Sequence, residues 1–316
     1  MDAIGGYFSL ELPLTGEYHK DAIRLNTGRN CLEYILRARG YKKVFIPYYT
    51  CEVILEPFRK LNIPYEFYHI NIQLELAYDI KLNTGEALLY TNYFGLKQRY
   101  VEHLAEKFQD QLIIDNTQAF YAKPLHGIDT FYTCRKFFGV ADGAYLYTDK
   151  LLDEKFEQDE SYDRMAHLLK RIDLSAEHGF QDFRKADDGL DNQPIRTMSR
   201  LTQRMMQSID YDVAAQRRRK NFLMLHTVLG QNNKLELPLE DDSVPMVYPY
   251  KIEKDGLRKE LIDKKIFVAH YWLNVQEWTT KDDIEYLLTS QMQPLPIDQR
   301  YGKDEMNRLI NILANQ

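Results

Sequence analysis

Hydrophobic positions in this chain follow two periods in turn. Leu32, Ile35 and Leu36 recur at helical spacing behind the turn Thr27-Gly28-Arg29-Asn30, which predicts an amphipathic helix opened by a glycine turn. From Lys43 onward short apolar runs alternate with helical ones. Residues 44–47 read as a strand, 52–61 as a helix, 65–70 as a strand and 87–94 as a buried strand ended by Gly95. A helix over 100–108 and a short strand over 112–115 follow. The stretch 129–149 then reads as strand, loop and strand, because 130–133 and 144–147 are rich in β-branched and aromatic residues while Gly139 and Asp142-Gly143 are turn formers.

Strands separated by helices of this length imply right-handed crossovers and a mostly parallel sheet covered on both faces, a three-layer α/β/α arrangement. After Asp149 the pattern changes. Residues 151–172 are charged with helical spacing, and 178–194 are polar and break the period, which predicts a loop. A long helical region is expected over 196–229. Beyond it lie an expected strand at 246–252, a helix at 256–264, a strand at 266–272 and a last helix at 303–313. The expected organisation is a large α/β domain over 1–195, a connecting helical region over 196–234 and a small C-terminal α/β domain over 235–316.

Composition narrows the class. The 316 residues are 44% hydrophobic and 28% charged, as in an ordinary globular protein with room for a large core. A net charge of -6 supplies no general field for nucleic acid, and the basic run Arg217–Lys220 lies on an expected helix, where it spreads around the circumference as a solvated face. No apolar run approaches the length that crosses a bilayer, and the amino terminus lacks the basic-then-apolar order of a signal peptide, so a cytoplasmic protein is expected. Cys31, Cys51 and Cys134 show neither a close pair nor metal-ligand spacing, which fits a reducing compartment and predicts no metal centre. The 23 tyrosines suit a polar pocket or a subunit interface without naming a function.

Two side chains stand where ligands bind in a parallel sheet, at the carboxyl ends of strands. Lys136 follows the strand at 130–133 and is a candidate for covalent chemistry, against the reading of a solvated loop lysine. Asp115 ends its own strand beside it, against the reading of a cap for the next turn, a role Asn116 would fill equally. The helix amino terminus at 27–30 presents free backbone N–H groups to an anion such as phosphate, or is simply a cap.

Taken together, TGRN at 27–30, IPYYTC at 46–51, DNTQAF at 115–120 and RKFFGVADG at 135–143 resemble the DegT/StrS family of pyridoxal-phosphate (PLP) enzymes, the fold type I aminotransferases that act on nucleotide-linked keto sugars. The resemblance covers nearly the whole chain, since 290–301 and the helix after it are similar to the family's C-terminal strand and helix. It implies a cofactor, PLP, joined through its aldehyde to Lys136, with Asp115 at the pyridine nitrogen and Gln118 near the ring oxygen. It further implies a phosphate site at Thr27, Gly28, Arg29 and Asn30 with Arg29 as charge partner, a hydroxyl from Thr130 or Thr133, and ring stacking by Tyr49 or Tyr93.

The chain departs from the family pattern at several points. Phe131 stands at the position of a serine, Cys51 at that of an aromatic, Asp142 at that of a glutamate and Ala144 at that of a glycine, and the second half is shortened. The implied activity is transfer of an amino group, from glutamate as donor, to a nucleotide-linked keto sugar for polysaccharide or antibiotic-sugar synthesis. The implied assembly is a homodimer with shared active sites, in which the polar loop near 178–192 completes the neighbour's pocket. Two rivals remain: another PLP reaction, although family dehydrases replace the lysine that this chain keeps, and a binding or regulatory protein without turnover.

Overall fold

A computed structural model describes residues 4–314. Its centre is a seven-stranded sheet in the order β1-β7-β6-β5-β4-β2-β3, built from β1 (Ile23–Leu25), β2 (Lys43–Pro47), β3 (Tyr65–Tyr68), β4 (Glu86–Thr91), β5 (Leu112–Asp115), β6 (Asp129–Thr133) and β7 (Ala144–Tyr147). The run from β6 to β3 is parallel, and β7 and β1 close the other edge with antiparallel pairings. Three layers follow from strand alternation. Ala87 and Leu89 of β4, Ile113 of β5 and Phe131 of β6 pack on one face with α1 (Gly28–Arg39) and α2 (Glu56–Leu61). Leu88, Tyr90, Ile114 and Tyr132 point to the other face, against α3 (Gln98–Phe108) and the later helices.

The second half contains α4 (Ala166–Asp173), α5 (Ala176–Asp188), α6 (Arg200–Met206), α7 (Tyr211–Leu229), β8 (Val247–Lys251), α8 (Leu257–Asp263), α9 (Leu273–Trp278), α10 (Ile284–Gln291), β9 (Met292–Pro296) and α11 (Lys303–Leu313). Phe222, Tyr248, Leu288 and Leu309 belong to the same apolar cluster as Leu88 and Ile114, so these C-terminal elements are packed continuously onto the sheet.

Four expectations need correction. The polar stretch read as a loop at 178–194 is helical to Asp188: Ser175 caps α5, and only Gly179 and Ala186 of this helix are buried, so there was no apolar stripe to reveal it. The helix expected across 151–172 is confined to α4 after a short turn at Tyr162–Arg164. The helical region 196–229 is two helices, because the Asp210 side chain accepts the Val213 N–H at 3.0 Å and starts α7 afresh. The apolar run 266–272 joins no ladder. Arg258 donates to the carbonyls of Val268 and Ala269 at 2.9 and 2.8 Å, taking groups a strand partner would need, and β8 pairs instead with β9.

The basic run 217–220 is also not a solvated face throughout. Arg218 is 1% exposed and donates to the carbonyls of Met246 and Phe137 at 3.0 and 3.2 Å, while Arg219 donates to the Glu240 carbonyl at 3.0 Å. Burial lowers the Arg218 guanidinium to a pKa of about 10, which leaves it charged at neutral pH and dependent on those carbonyls.

His19 supplies a pH test of the fold. It is buried, its Nε2 lies 2.7 Å from the Phe120 carbonyl, and burial lowers its pKa from 6.5 to about 4. The unfolded chain therefore binds a proton between pH 6.5 and 4 that the folded chain refuses. Stability attributable to this group is full above pH 6.5 and is lost as pH falls toward 4, by about 3 kcal/mol in all. Urea melts across this window are expected to show a steeper fall for the wild type than for His19→Gln, which has no proton to take up.

Candidate active site

Parallel pairing aligns the ends of three strands. Thr91 of β4 is opposite Asp115 of β5, and Asp115 is opposite Phe131 of β6, so the Asp115 carboxylate opens at the carboxyl edge of the sheet. It is 6% exposed; one oxygen accepts the Thr117 N–H at 2.8 Å and the other faces the Thr91 hydroxyl at 3.4 Å. A cavity of about 280 Å³ lies against this edge, and its wall includes Thr27, Gly28, Asp115, Gln118, Thr133 and Lys136.

The lysine is carried by a tight turn. Phe138 N–H donates to the Cys134 carbonyl at 2.9 Å, and the Phe137 carbonyl, next to Lys136, receives Gln299 at 2.8 Å and the buried Arg218 at 3.2 Å. The Lys136 ammonium donates to the Thr117 hydroxyl at 3.0 Å. By surface area Lys136 is an exposed residue, because its side chain opens on the cavity, yet protein atoms surround its ammonium. The surrounding atoms rather than the open area govern its titration: burial lowers the pKa, and the opposing pull of Asp115 and Cys51 does not cancel it.

Asp142, expected only as a turn residue, has a structural task. Its buried carboxylate accepts Ser199 N–H at 2.9 Å, Ser199 hydroxyl at 2.7 Å and the Thr202 hydroxyl, fixing the start of α6. Gly143 follows at φ +109°, and a Cβ there would stand 2.8 Å from the Thr202 side chain, so the turn after the lysine admits no larger residue.

At the opposite wall Thr27 caps α1, accepting the Asn30 N–H at 3.1 Å. Gly28 and Arg29 N–H have no hydrogen-bond partner among the described residues and stand at the helix amino terminus beside the cavity. Asn30 is turned away into the cap and the Gln193 carbonyl, outside the cavity wall. Arg29 reaches the wall already engaged: its guanidinium pairs with Glu56 at 2.7 Å and Asp191 at 2.6 Å, which reduces the charge it offers an anion.

The remaining expected residues divide. Thr133 lines the cavity; Thr130 is fully buried, bonded to the Ile128 carbonyl at 3.2 Å, and does not. Tyr49 and Tyr93 are also core residues away from the wall, the Tyr93 hydroxyl donating to the Tyr49 carbonyl at 2.9 Å. The aromatic groups that do line the cavity are Phe131 and Trp272. Trp272 arrives just before α9, held near Thr50 by Asn274, which donates to the Thr50 carbonyl at 2.9 Å. Sequence reasoning also missed Thr117 and Arg135. Arg135 pairs with Asp187 at 2.8 Å, and Asp187, Leu190 and Asp191, from the segment expected to complete a pocket, belong to the wall of this chain's own cavity. Arg135 and Thr117 adjoin residues already singled out, whereas Trp272 has no local signal.

Gln118 tests whether the residues fit the expected cofactor. It is fully buried, its Oε1 accepts the Phe94 N–H at 2.8 Å, and its Nε2 has no partner. An orphaned amide donor in a cavity wall calls for an acceptor supplied from the cavity. With a carboxylate, an amine and two free amides around the same space, the donor set suits a ligand with a basic ring nitrogen, an aldehyde, a ring oxygen and a phosphate. The residues present fit PLP.

No protein-family model matches the chain, and no curated protein does. Solved structures do resemble it. A DegT DnrJ EryC1 StrS aminotransferase from Brucella abortus superposes with a TM-score of 0.60 at 14% identity, over 93% of this chain and 85% of that one. The PMP form of Spr1654 from Streptococcus pneumoniae, which bears the name of a sugar aminotransferase, gives 0.67 at 14% over 96% and 92%. GDP-4-keto-6-deoxymannose-3-dehydratase with bound GDP-perosamine gives 0.64 at 14% over 92% and 88%. At this identity the likeness establishes the fold, which is the one the sequence motifs imply.

Proposed function

We propose that this chain is a PLP-dependent aminotransferase that moves an amino group from a donor amino acid, glutamate by the resemblance, to a nucleotide-linked keto sugar. The observation that carries the reading is the meeting of Lys136, Asp115 and the unpartnered amide of Gln118 around one cavity. Bound there, PLP would supply an aldehyde for the lysine and a ring that accepts electrons from the substrate carbon.

The chain's own groups have distinct tasks. Burial lowers the Lys136 pKa, which favours the neutral amine that would attack a carbonyl carbon and later carry a proton. Asp115, fixed by Thr117 N–H, would face the ring nitrogen and hold a proton there. Gln118 Nε2 would donate to the ring oxygen, the free amides of Gly28 and Arg29 and the Thr133 hydroxyl would receive the phosphate, and Phe131 and Trp272 would give the ring apolar walls. The reading includes a cytoplasmic homodimer, as the family resemblance implies.

The test is a half-reaction. Purified protein loaded with PLP and mixed with glutamate, without acceptor, is expected to lose the absorption band of the lysine-bound cofactor and release one 2-oxoglutarate per site, with ping-pong kinetics in the full reaction. Retention of the band with no 2-oxoglutarate would remove the transaminase reading and favour binding without turnover.

A further inference from the structure

We propose that Thr117 is the positioning residue for Lys136: its hydroxyl holds the lysine amine at the reacting edge of the cavity, and its methyl group fixes that hydroxyl. The inference rests on the role given to Lys136 above. Three contacts carry it. The Thr117 hydroxyl accepts from Lys136 Nζ at 3.0 Å. The Thr117 N–H donates to Asp115 at 2.8 Å, which ties the residue to the carboxylate. The other branch of the side chain faces Gly28, where a Cβ would come within 3.3 Å of Thr117 Cγ2 and 3.7 Å of the Phe131 ring.

Both branches sit on one tetrahedral carbon, so the seat of the methyl against Gly28 sets the direction of the hydroxyl. Glycine at 28 is part of the device, because a side chain there would displace the methyl. A hydroxyl is a suitable partner for an amine that changes protonation: it accepts from the ammonium and donates to the neutral amine. A carboxylate would favour the ammonium alone. Among the described residues Lys136 has no salt-bridge partner; the charged or titratable groups facing it are Asp115 from the end of β5, Cys51 after β2 and its neighbour Arg135, with Arg29, Asp187 and Asp191 across the cavity. Threonine therefore holds the amine without pinning its proton.

The test measures capture by the cofactor-free protein. Free PLP is added across a pH series; the amine nitrogen bonds to the aldehyde carbon, water leaves, and borohydride reduces the C=N bond so that the labelled peptide can be identified by mass. Thr117→Val keeps the methyl packing and deletes the hydroxyl. It is expected to lower the limiting rate of labelling at Lys136 about tenfold and to move the pH midpoint down by about half to one unit, since the bond to the ammonium is the stronger one lost. Thr117→Ser is expected to restore the midpoint and leave a rate between the two. Thr117→Ala carries the same expectation as valine should that variant not fold.

Trinitrobenzenesulfonate, which reacts with any neutral amine, serves as a second probe of Lys136 and does not depend on cofactor recognition. A wild-type protein that this reagent labels but PLP does not would refute the proposed function while still testing Thr117. Valine and alanine variants that match the wild type in both midpoint and limiting rate would overturn the inference and leave the proposed function standing.

Discussion

Lys136→Ala is expected to yield a folded protein that binds PLP without its lysine-linked absorption band and turns over at least ~10⁴-fold more slowly than wild type. Folding should survive because the ammonium has only the Thr117 hydroxyl as a hydrogen-bond partner among the described residues, and its burial already opposes the charged form. The melting temperature is expected within about 3 °C of wild type. Catalysis should not survive, because in the proposed function the amine is both the group that joins the aldehyde and the base beside the reacting carbon. A small primary amine added to the medium is expected to restore part of the rate, which a merely structural lysine would not allow. Turnover within tenfold of wild type would remove Lys136 from the chemistry.

Asp115→Asn should lower kcat by ~10³-fold with little change in KM. Asparagine can keep the acceptor for Thr117 N–H and a partner for the Thr91 hydroxyl, so the turn that carries Gln118 is preserved. What would disappear, in the proposed function, is the negative charge opposite the ring nitrogen, and with it the proton that makes the ring an electron acceptor. The same substitution removes a charge that raises the Lys136 pKa, so capture of PLP by the apo variant is expected to shift to lower pH. Steady-state kinetics and the capture profile check the two effects separately. A kcat within tenfold of wild type would contradict the role given to Asp115.

The parts of the fold legible in sequence are those whose causes are local. The run at 87–91 is apolar on both sides because Ala87 and Leu89 face one layer and Leu88 and Tyr90 the other, and that continuous run marks a central parallel strand. Lys136 and Asp115 were visible because strand ends and turn formers sit beside them in the chain. Helix α5 was hidden because its faces are largely solvated, and the run at 266–272 misled because apolar composition says nothing about whether a strand partner exists. Trp272 comes to the cavity from far along the chain. Tyr49 and Tyr93 had aromatic chemistry and a suitable position in sequence, but both are spent on the core. Arg29 shows the same limit: its charge is legible, whereas its prior engagement by Glu56 and Asp191 depends on chain separations that no local pattern records.

The central claim is that Lys136 is the residue to which PLP is joined, and the most direct test is to locate the linkage. The wild-type protein is loaded with PLP, reduced with borohydride, digested and mapped by mass. One pyridoxyl group per chain is expected, on the peptide that contains Lys136. The two lysines buried away from this cavity serve as internal controls among the described residues: Lys97, paired with Glu75, and Lys251, whose pKa burial also lowers. A label on either of these, or no label at all, would contradict the account.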